Sequence, residues 1–290
     1  MRIHLQRVAA IHDLSGFGRA SLTVVIPILS SMGIQVCPLP TAVLSSHSAF
    51  PGFHARDLSA ELPSMIEHWK KLDIQFDAIY SGYLGAVDQI DMVKGFIRDF
   101  GSHDQLVVVD PVLGDNGKLY SAFDCQMVAE MRNLIAHAEV ITPNLTEAAF
   151  LLGEGYQPQV SIAELKLWCV RLAEMGPKQV IITSVPEFGQ SSKTSVLAYN
   201  AVDKRYWRVT CDYLPANYPG TGDAFASVMV GSLLQGDSLP IALDRAVNFI
   251  AMGVRATFGH PHHPSEGILI EKVLPSLNAP VQISSYQLVD

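Results

Sequence analysis

Six short runs constrain this chain most: Arg7–Ile11, Ile34–Leu39, Asp77–Tyr80, Gln105–Val109, Glu139–Ile141 and Gln179–Thr183 are apolar on both faces through most of their length. A strand with no polar face needs cover on both sides, which a parallel sheet between two helical layers supplies. The stretches between the runs are helix-length and amphipathic, as βαβ crossovers require. The expectation is an α/β fold with a doubly wound, mostly parallel central sheet and helices on both faces. Beyond Thr183 the texture changes. Thr194–Asn200 and Tyr206–Cys211 read as consecutive strands joined by the turn-forming Val202-Asp203-Lys204, which predicts a small antiparallel edge. Helices are then expected over Thr221–Gln235 and Leu239–Phe258.

With 290 residues, 49% of them hydrophobic and 17% charged, the chain can bury one large core. No repeat, low-complexity block or polar linker divides it, so residues 1–290 are expected to form a single domain, with a flap around residues 45–53 that is either a surface loop or a substrate lid. A formal net charge of −8 argues against nucleic acid and anionic membranes as partners, since phosphate backbones reward basic patches. Cys37, Cys125, Cys169 and Cys211 form no CxxC pair, so neither a zinc ribbon nor a redox motif is indicated. No basic segment precedes an apolar one at the N-terminus, and no apolar stretch reaches the roughly 18 residues of a membrane span, so cytoplasmic residence is the expectation.

The strongest local signal is Pro219-Gly220-Thr221-Gly222-Asp223-Ala224-Phe225, a glycine-rich turn that opens into an apolar helix. Glycines let backbone N–H groups approach an anion closely, and a helix N-terminus favours negative charge, including charge developing on a phosphoryl group in transfer. Asp223 in that first turn has two readings. It is a helix-capping acid, or it is the base that takes a proton from an attacking hydroxyl.

Other strand ends bear on the choice. Asp110-Pro111-Val112-Leu113-Gly114-Asp115 follows one buried run, and Thr142-Pro143-Asn144 follows another, with Glu147 three residues into the next helix. Ligands of open α/β sheets bind outside the carboxyl ends of strands. Asp110, Asn144 and Glu147 could hold hydrated Mg²⁺ on nucleotide phosphates, because Mg²⁺ prefers oxygen ligands and keeps waters; alternatively Asp110 and Asn144 only cap turns. Ser81-Gly82-Tyr83-Leu84-Gly85 places a tyrosine between glycines at a further strand end, near a ligand or packed on the surface.

Competing motifs fit poorly. Gly16-Phe17-Gly18-Arg19-Ala20-Ser21 follows the first strand, but Ser21 stands where a dinucleotide fingerprint needs its third glycine, and no acid follows near residues 36–41. No GxxxxGK[ST] is present, which excludes a P-loop NTPase. His260, His262 and His263 cluster in a proline-broken loop that offers no acidic or thiol partner, so metal binding there is not expected.

Taken together, Gly82-Tyr83-Leu84-Gly85, Asp110-Pro111-Val112-Leu113-Gly114-Asp115, Thr142-Pro143-Asn144 with Glu147, Thr183-Ser184 and Gly220-Thr221-Gly222-Asp223 resemble, in order and spacing, the pyridoxal and pyridoxamine kinases of the ribokinase-like superfamily. The resemblance implies ATP-dependent phosphorylation of the 5′-hydroxymethyl group of a vitamin B6 compound. It implies Asp223 as catalytic base with the amides of Gly220, Thr221 and Gly222 as anion hole. Asp110, Asp115, Thr142, Asn144, Thr183, Ser184 and Gly222 would meet the nucleotide, with Asp110 and Glu147 at the magnesium. Ser15, Thr41, His47 and Tyr83 would surround the substrate ring. A monovalent cation such as K⁺ near the nucleotide and a homodimer are further implications. A hydroxymethylpyrimidine kinase is the alternative, since both substrates carry a CH₂OH nucleophile on a ring; those kinases often have cysteine where this chain has Asp223. A non-catalytic ligand-binding member is disfavoured by the intact Gly220, Gly222 and Asp223.

Overall fold

The protein is described from a computed structural model that covers residues 5–187, 189–190, 192–261, 263–279 and 285–289. Twelve strands occur among these residues: β1 (Arg7–Ser15), β2 (Gln35–Leu44), β3 (Ala55–Asp57), β4 (Ala78–Ser81), β5 (Leu106–Val109), β6 (Gly114–Asp115), β7 (Lys118–Leu119), β8 (Val140–Ile141), β9 (Gln179–Pro186), β10 (Lys193–Asn200), β11 (Arg205–Asp212) and β12 (Gln287–Leu288). Ten of them form one sheet in the order β12-β11-β10-β9-β8-β5-β4-β1-β2-β3, and β6 pairs with β7 apart from it. Within that order β9, β8, β5, β4, β1 and β2 run parallel to one another. The antiparallel edge predicted after Thr183 is present as β9, β10, β11 and β12. The opposite edge is antiparallel too, because β3 pairs back onto β2. Only three residues long and exposed, β3 carries no hydrophobic alternation by which a sequence could announce it.

Helices cover both faces: α1 (Leu22–Ser31), α2 (Leu62–Lys71), α3 (Val87–Phe100), α4 (Cys125–Ile135), α5 (Leu145–Leu152), α6 (Ile162–Ala173), α7 (Thr221–Leu234) and α8 (Leu239–Thr257). Successive β1 residues face opposite layers. Val8 and Ala10 join a core with α1, α7 and α8; Ala9 and Ile11 join one with α2 to α6. All four are fully or almost fully buried, which is why the run has no polar face. Each large aliphatic side chain buried in this way stabilises the fold by about 1.5–3 kcal/mol.

The chain leaves β1 for β2 on one side and later returns to β4, β5, β8 and β9 on the other. That reversal puts a crevice beyond the carboxyl ends of β1 and β4, the place where α/β sheets of this kind bind ligands. The segment 45–53 spans the connection from β2 to β3, closed at its base by Ser45 N–H to His54 O at 2.8 Å and His54 N–H to Ser45 Oγ at 2.9 Å. It is therefore the tip of a hairpin at the sheet edge, beside that crevice.

Candidate active site

The amino end of α7 is aimed at the crevice by a contact only glycine permits. Gly220 has φ +77°, and a Cβ there would stand 2.0 Å from the Arg19 carbonyl oxygen, so any side chain would force the two backbones apart. The first hydrogen bond of α7 runs from Ala224 N–H to Gly220 O at 2.9 Å. The amides of Thr221, Gly222 and Asp223 precede it and point out of the helix end, as an anion-binding terminus requires.

Asp223 is half-buried at this end. Its Oδ2 accepts the Ser21 N–H at 2.8 Å. Ser21 holds backbone angles of φ 52° and ψ −133°, a conformation that costs a non-glycine residue about 1–3 kcal/mol. The Ser21 hydroxyl donates to Asp13 Oδ1 at 2.5 Å, and Ser15 Oγ donates to Asp13 Oδ2 at 3.1 Å. Loss of hydration pushes the Asp223 carboxyl up to about 6; the Ser21 amide opposes the rise and the Asp13 charge adds to it. Burial likewise raises Asp13, against the two serine hydroxyls. A carboxylate with one oxygen fixed, the other free and a pKa near neutrality has the properties of a general base.

A second acidic pair lies at the ends of β5 and β8. Asp110 is buried and pushed up to about 7, first by burial and then by the Asp223 charge, with the neighbouring Thr142 hydroxyl acting in the opposite direction. Glu147, also buried, is raised well above the usual carboxylate range by burial and by Asp110. It stays in place through backbone donors: Asn144 N–H to Oε2 at 2.8 Å and Leu113 N–H to Oε1 at 3.1 Å. Asn144 returns the bond, accepting Glu147 N–H at 2.9 Å to complete a capping box on α5, and its Nδ2 donates to Gly114 O at 2.9 Å. Gly222 faces this pair, since a Cβ on it would meet Asp110 Oδ2 at 3.9 Å.

From the α7 end a cleft of about 1050 Å³ extends between the β9–β11 hairpins and α5, lined among others by Asp115, Asn144, Ser184, Tyr213, Thr221 and Arg255. On the other flank Tyr83 stacks on Phe123 with ring centroids 5.5 Å apart, and its hydroxyl is raised by burial and by the Asp13 charge. Beneath it, a Cβ on Gly82 would collide with the His12 ring at 2.3 Å, and burial lowers that imidazole to about 3, keeping it neutral.

A sequence model of the phosphomethylpyrimidine kinase family matches residues 61–266. A candidate phosphomethylpyrimidine kinase from Bacteroides thetaiotaomicron VPI-5482, crystallised in an orthorhombic form with pyridoxal, is 60% identical. It superposes with a TM-score of 0.96 over 99% of this chain and 100% of its own. The pyridoxal kinase of Lactobacillus plantarum is 32% identical with a TM-score of 0.86, over 94% of this chain and 97% of its own. That of Arabidopsis thaliana is 28% identical over 235 residues, 79% of this chain and 75% of its own length. The chain belongs to this family of phosphomethylpyrimidine and pyridoxal kinases.

Within the kinase, then, the fold is ribokinase-like and the chemistry is phosphoryl transfer. Of the residues expected from sequence, Gly220, Thr221, Gly222, Asp223 and Asp110 converge at the α7 terminus. Asp115, Asn144 and Ser184 line the large cleft, while Thr142 is buried beside Asp110 and Thr183 bridges to Asn144 in the sheet. Ser15, Thr41 and His47 are all buried on the β1–β2 side. His47 is engaged within the protein: Nδ1 accepts Ala49 N–H at 3.3 Å, so Nε2 carries the proton donated to Ser265 O at 2.6 Å. It pins the 45–53 hairpin to the 264–266 turn, with Phe50 packed between Phe17, His47 and His263. In the histidine loop, His260 Nε2 meets Lys272 Nζ at 3.0 Å and His263 Nδ1 accepts Ser265 N–H at 3.3 Å; His262 lies outside the described residues. Among the described residues no group of three or more His, Cys, Asp or Glu side chains could hold a metal by itself.

Sequence reasoning passed over Asp13, Ser21 and Gln89. Buried Gln89 accepts the Gly85 N–H at 2.8 Å and donates to Thr41 O at 3.2 Å and to Ser59 Oγ at 2.9 Å, tying the Tyr83 loop to β2. The signal available for Asp13 was an aspartate inside an apolar strand end, which needs buried partners.

Proposed function

We propose that this kinase transfers the γ-phosphoryl group of ATP to the 5′-hydroxymethyl group of a B6 vitamer: pyridoxal, pyridoxamine or pyridoxine. The observation that carries the reading is Asp223, with Oδ2 fixed by Ser21 and its carboxyl raised to about 6, in the first turn of a helix whose amides face the same space. The choice of ring is supported by the Bacteroides relative crystallised with pyridoxal.

ATP occupies the large cleft with its phosphates toward the amides of Gly220, Thr221 and Gly222, and Asp115, Thr142, Asn144, Thr183 and Ser184 hold the nucleotide. Ser15, Thr41, His47 and Tyr83 surround the vitamer. The hydroxymethyl oxygen forms the new bond to the γ-phosphorus and its proton passes to Asp223. The bond from that phosphorus to the bridging oxygen breaks, and its electron pair leaves on ADP. The helix-end amides stabilise the charge on the phosphoryl group in transfer, and positioning supplies most of the remaining acceleration. Asp110 and Glu147 would hold magnesium, and the residues fit it: both carboxyls are raised by burial, Asp110 further by the Asp223 charge and Glu147 by the Asp110 charge, and a cation relieves such crowded acids. Bound there, it would neutralise phosphate charge. The 45–53 hairpin, pinned to the 264–266 turn by His47, keeps water from the phosphoryl group.

A K⁺-type site near the nucleotide, a homodimer and cytoplasmic residence complete the proposal. No helix among the described residues is long and apolar enough to cross a membrane. ADP release measured with pyridoxal, pyridoxamine, pyridoxine and hydroxymethylpyrimidine tests it. Turnover should favour the B6 vitamers. Turnover of hydroxymethylpyrimidine alone would transfer the assignment to thiamin-precursor chemistry, and no turnover with any would overturn it.

A further inference from the structure

Residues 13 to 21 and residue 223 are joined by two hydrogen bonds that meet at one serine. Ser21 donates its N–H to Asp223 Oδ2 at 2.8 Å and its hydroxyl to Asp13 Oδ1 at 2.5 Å. The first bond exists only because Ser21 sits at φ 52° and ψ −133°, near the angles of the first central residue of a type II′ turn, where glycine dominates. A serine relaxes out of that region unless something holds it. Its own side chain, anchored on a buried aspartate, supplies that hold beside an antiparallel β-bridge to Leu14. Asp13 is 4% exposed and lies near the carboxyl end of β1, a strand buried over most of its length, while the Ser21 carbonyl accepts Val24 and Val25 N–H at 2.9 and 3.0 Å as α1 begins.

We propose that Ser21 is a positioning residue for Asp223, kept in its glycine-like conformation by Asp13. Its amide occupies Oδ2 and turns Oδ1 toward the attacking hydroxyl. The charged or titratable groups around the base are Asp13 from β1, Tyr80 from β4, Asp110 from the end of β5 and Tyr120, whose hydroxyl feels the Asp223 charge. None of them offers a second fixed donor to Oδ2, so the orientation depends on this one backbone N–H. The consequence is a dependence on conformation rather than on side-chain chemistry: the hydroxyl is needed to hold the backbone, and the backbone orients the base.

The proposal rests on Asp223 acting as the base, and the experiment separates the two. Ser21→Ala removes the hold but keeps a Cβ that disfavours positive φ, whereas Ser21→Gly removes the hydroxyl from a backbone that adopts these angles freely. With pyridoxal and MgATP, Ser21→Ala should lower kcat about 10- to 100-fold, the size usual for a misplaced proton acceptor, with the KM for ATP changed no more than about twofold. Ser21→Gly should remain within about threefold of the wild-type kcat. Asp13→Ala should lower kcat in the wild-type background and be nearly silent on kcat in the S21G background, the non-additivity expected when one residue acts through another. A wild-type kcat for Ser21→Ala overturns the proposal, as does an equal loss in Ser21→Gly or an undiminished Asp13→Ala effect in S21G. If Ser21→Ala does not fold, the two Asp13→Ala measurements decide alone. Retained turnover in Asp223→Asn, run in parallel, would instead remove the base assignment itself.

Discussion

Glu147 and Asp223 occupy the same helical position, three residues past the N-cap of α5 and of α7, and both face one crevice. Their surroundings make them different groups. Glu147 follows an asparagine cap, and its oxygens accept the N–H groups of Asn144 and Leu113. Asp223 follows Gly220, which has no side chain to complete a capping box, and its one backbone donor comes from Ser21, 202 residues away in sequence. An acid at this position is therefore fixed in place when both its oxygens accept local amides and is poised as a base when one oxygen is left free. What decides is the cap residue: an asparagine closes the first turn, and a glycine leaves it open to an anion.

The comparison breaks most sharply at Asp223. Asp223→Asn should reduce kcat by at least ~100-fold, about 2.7 kcal/mol of transition-state stabilisation, measured by ADP release. It should not lower Tm, because folding raises this carboxyl to about 6 and so disfavours the charge that asparagine lacks. Replacing the glycine cap comes next. Gly220→Ala meets the Arg19 carbonyl at 2.0 Å from a backbone at φ +77°, so Tm should fall by roughly 5 °C or more and kcat should fall with it as the amides turn. A wild-type melting curve would show that the α7 end does not need this close approach.

A smaller effect separates the acidic pair by pH. The Asp110 carboxyl is raised to about 7 by burial and by the Asp223 charge, from an unfolded value of 3.8. A carboxyl raised on folding binds its proton more tightly in the folded state, so its stabilising effect is present at low pH and lost as pH rises toward 7. Asp110→Asn should therefore raise the Tm of the nucleotide-free protein most at pH 8, by about 2–4 °C for each kcal/mol regained, less at pH 5, and not at all below the unfolded value of 3.8. A Tm lowered at pH 8 would mean that Asp110 is a structural acceptor whose lost hydrogen bonds outweigh the charge removed.

Much of the fold was legible because the sheet is built from local patterns. Doubly apolar runs such as Gln105–Val109 require cover on both faces wherever they pack, and the Pro219–Phe225 turn carries its own chemistry in its glycines. The unread part depends on contacts far apart in sequence. Ser21 ends a glycine-rich run that reads only as a failed dinucleotide fingerprint, and its role appears only when β1 and α7 are side by side. The hydrogen bonds of His47 to Ala49 and Ser265 are equally unreadable, because Ser265 comes from the last part of the chain. The β3 strand was invisible for lack of length.

Asn144 gives the finest test of the comparison, because it serves both the cap and the cleft. Its Oδ1 caps Glu147 N–H and its Nδ2 holds the Gly114 carbonyl, while the residue lines the large cleft. Asn144→Ala should cost about 1 kcal/mol through the lost cap, read as a small drop in Tm, and should raise the KM for ATP if the side chain also meets the nucleotide. Asn144→Asp restores the capping oxygen but loses the donor to Gly114 and adds a negative charge next to the phosphates. Its Tm should lie above that of the alanine variant while its KM for ATP rises further. If instead both variants bind ATP as the wild type does, Asn144 acts only on α5, and the α5 end contributes to the site through Glu147 and the turn it holds.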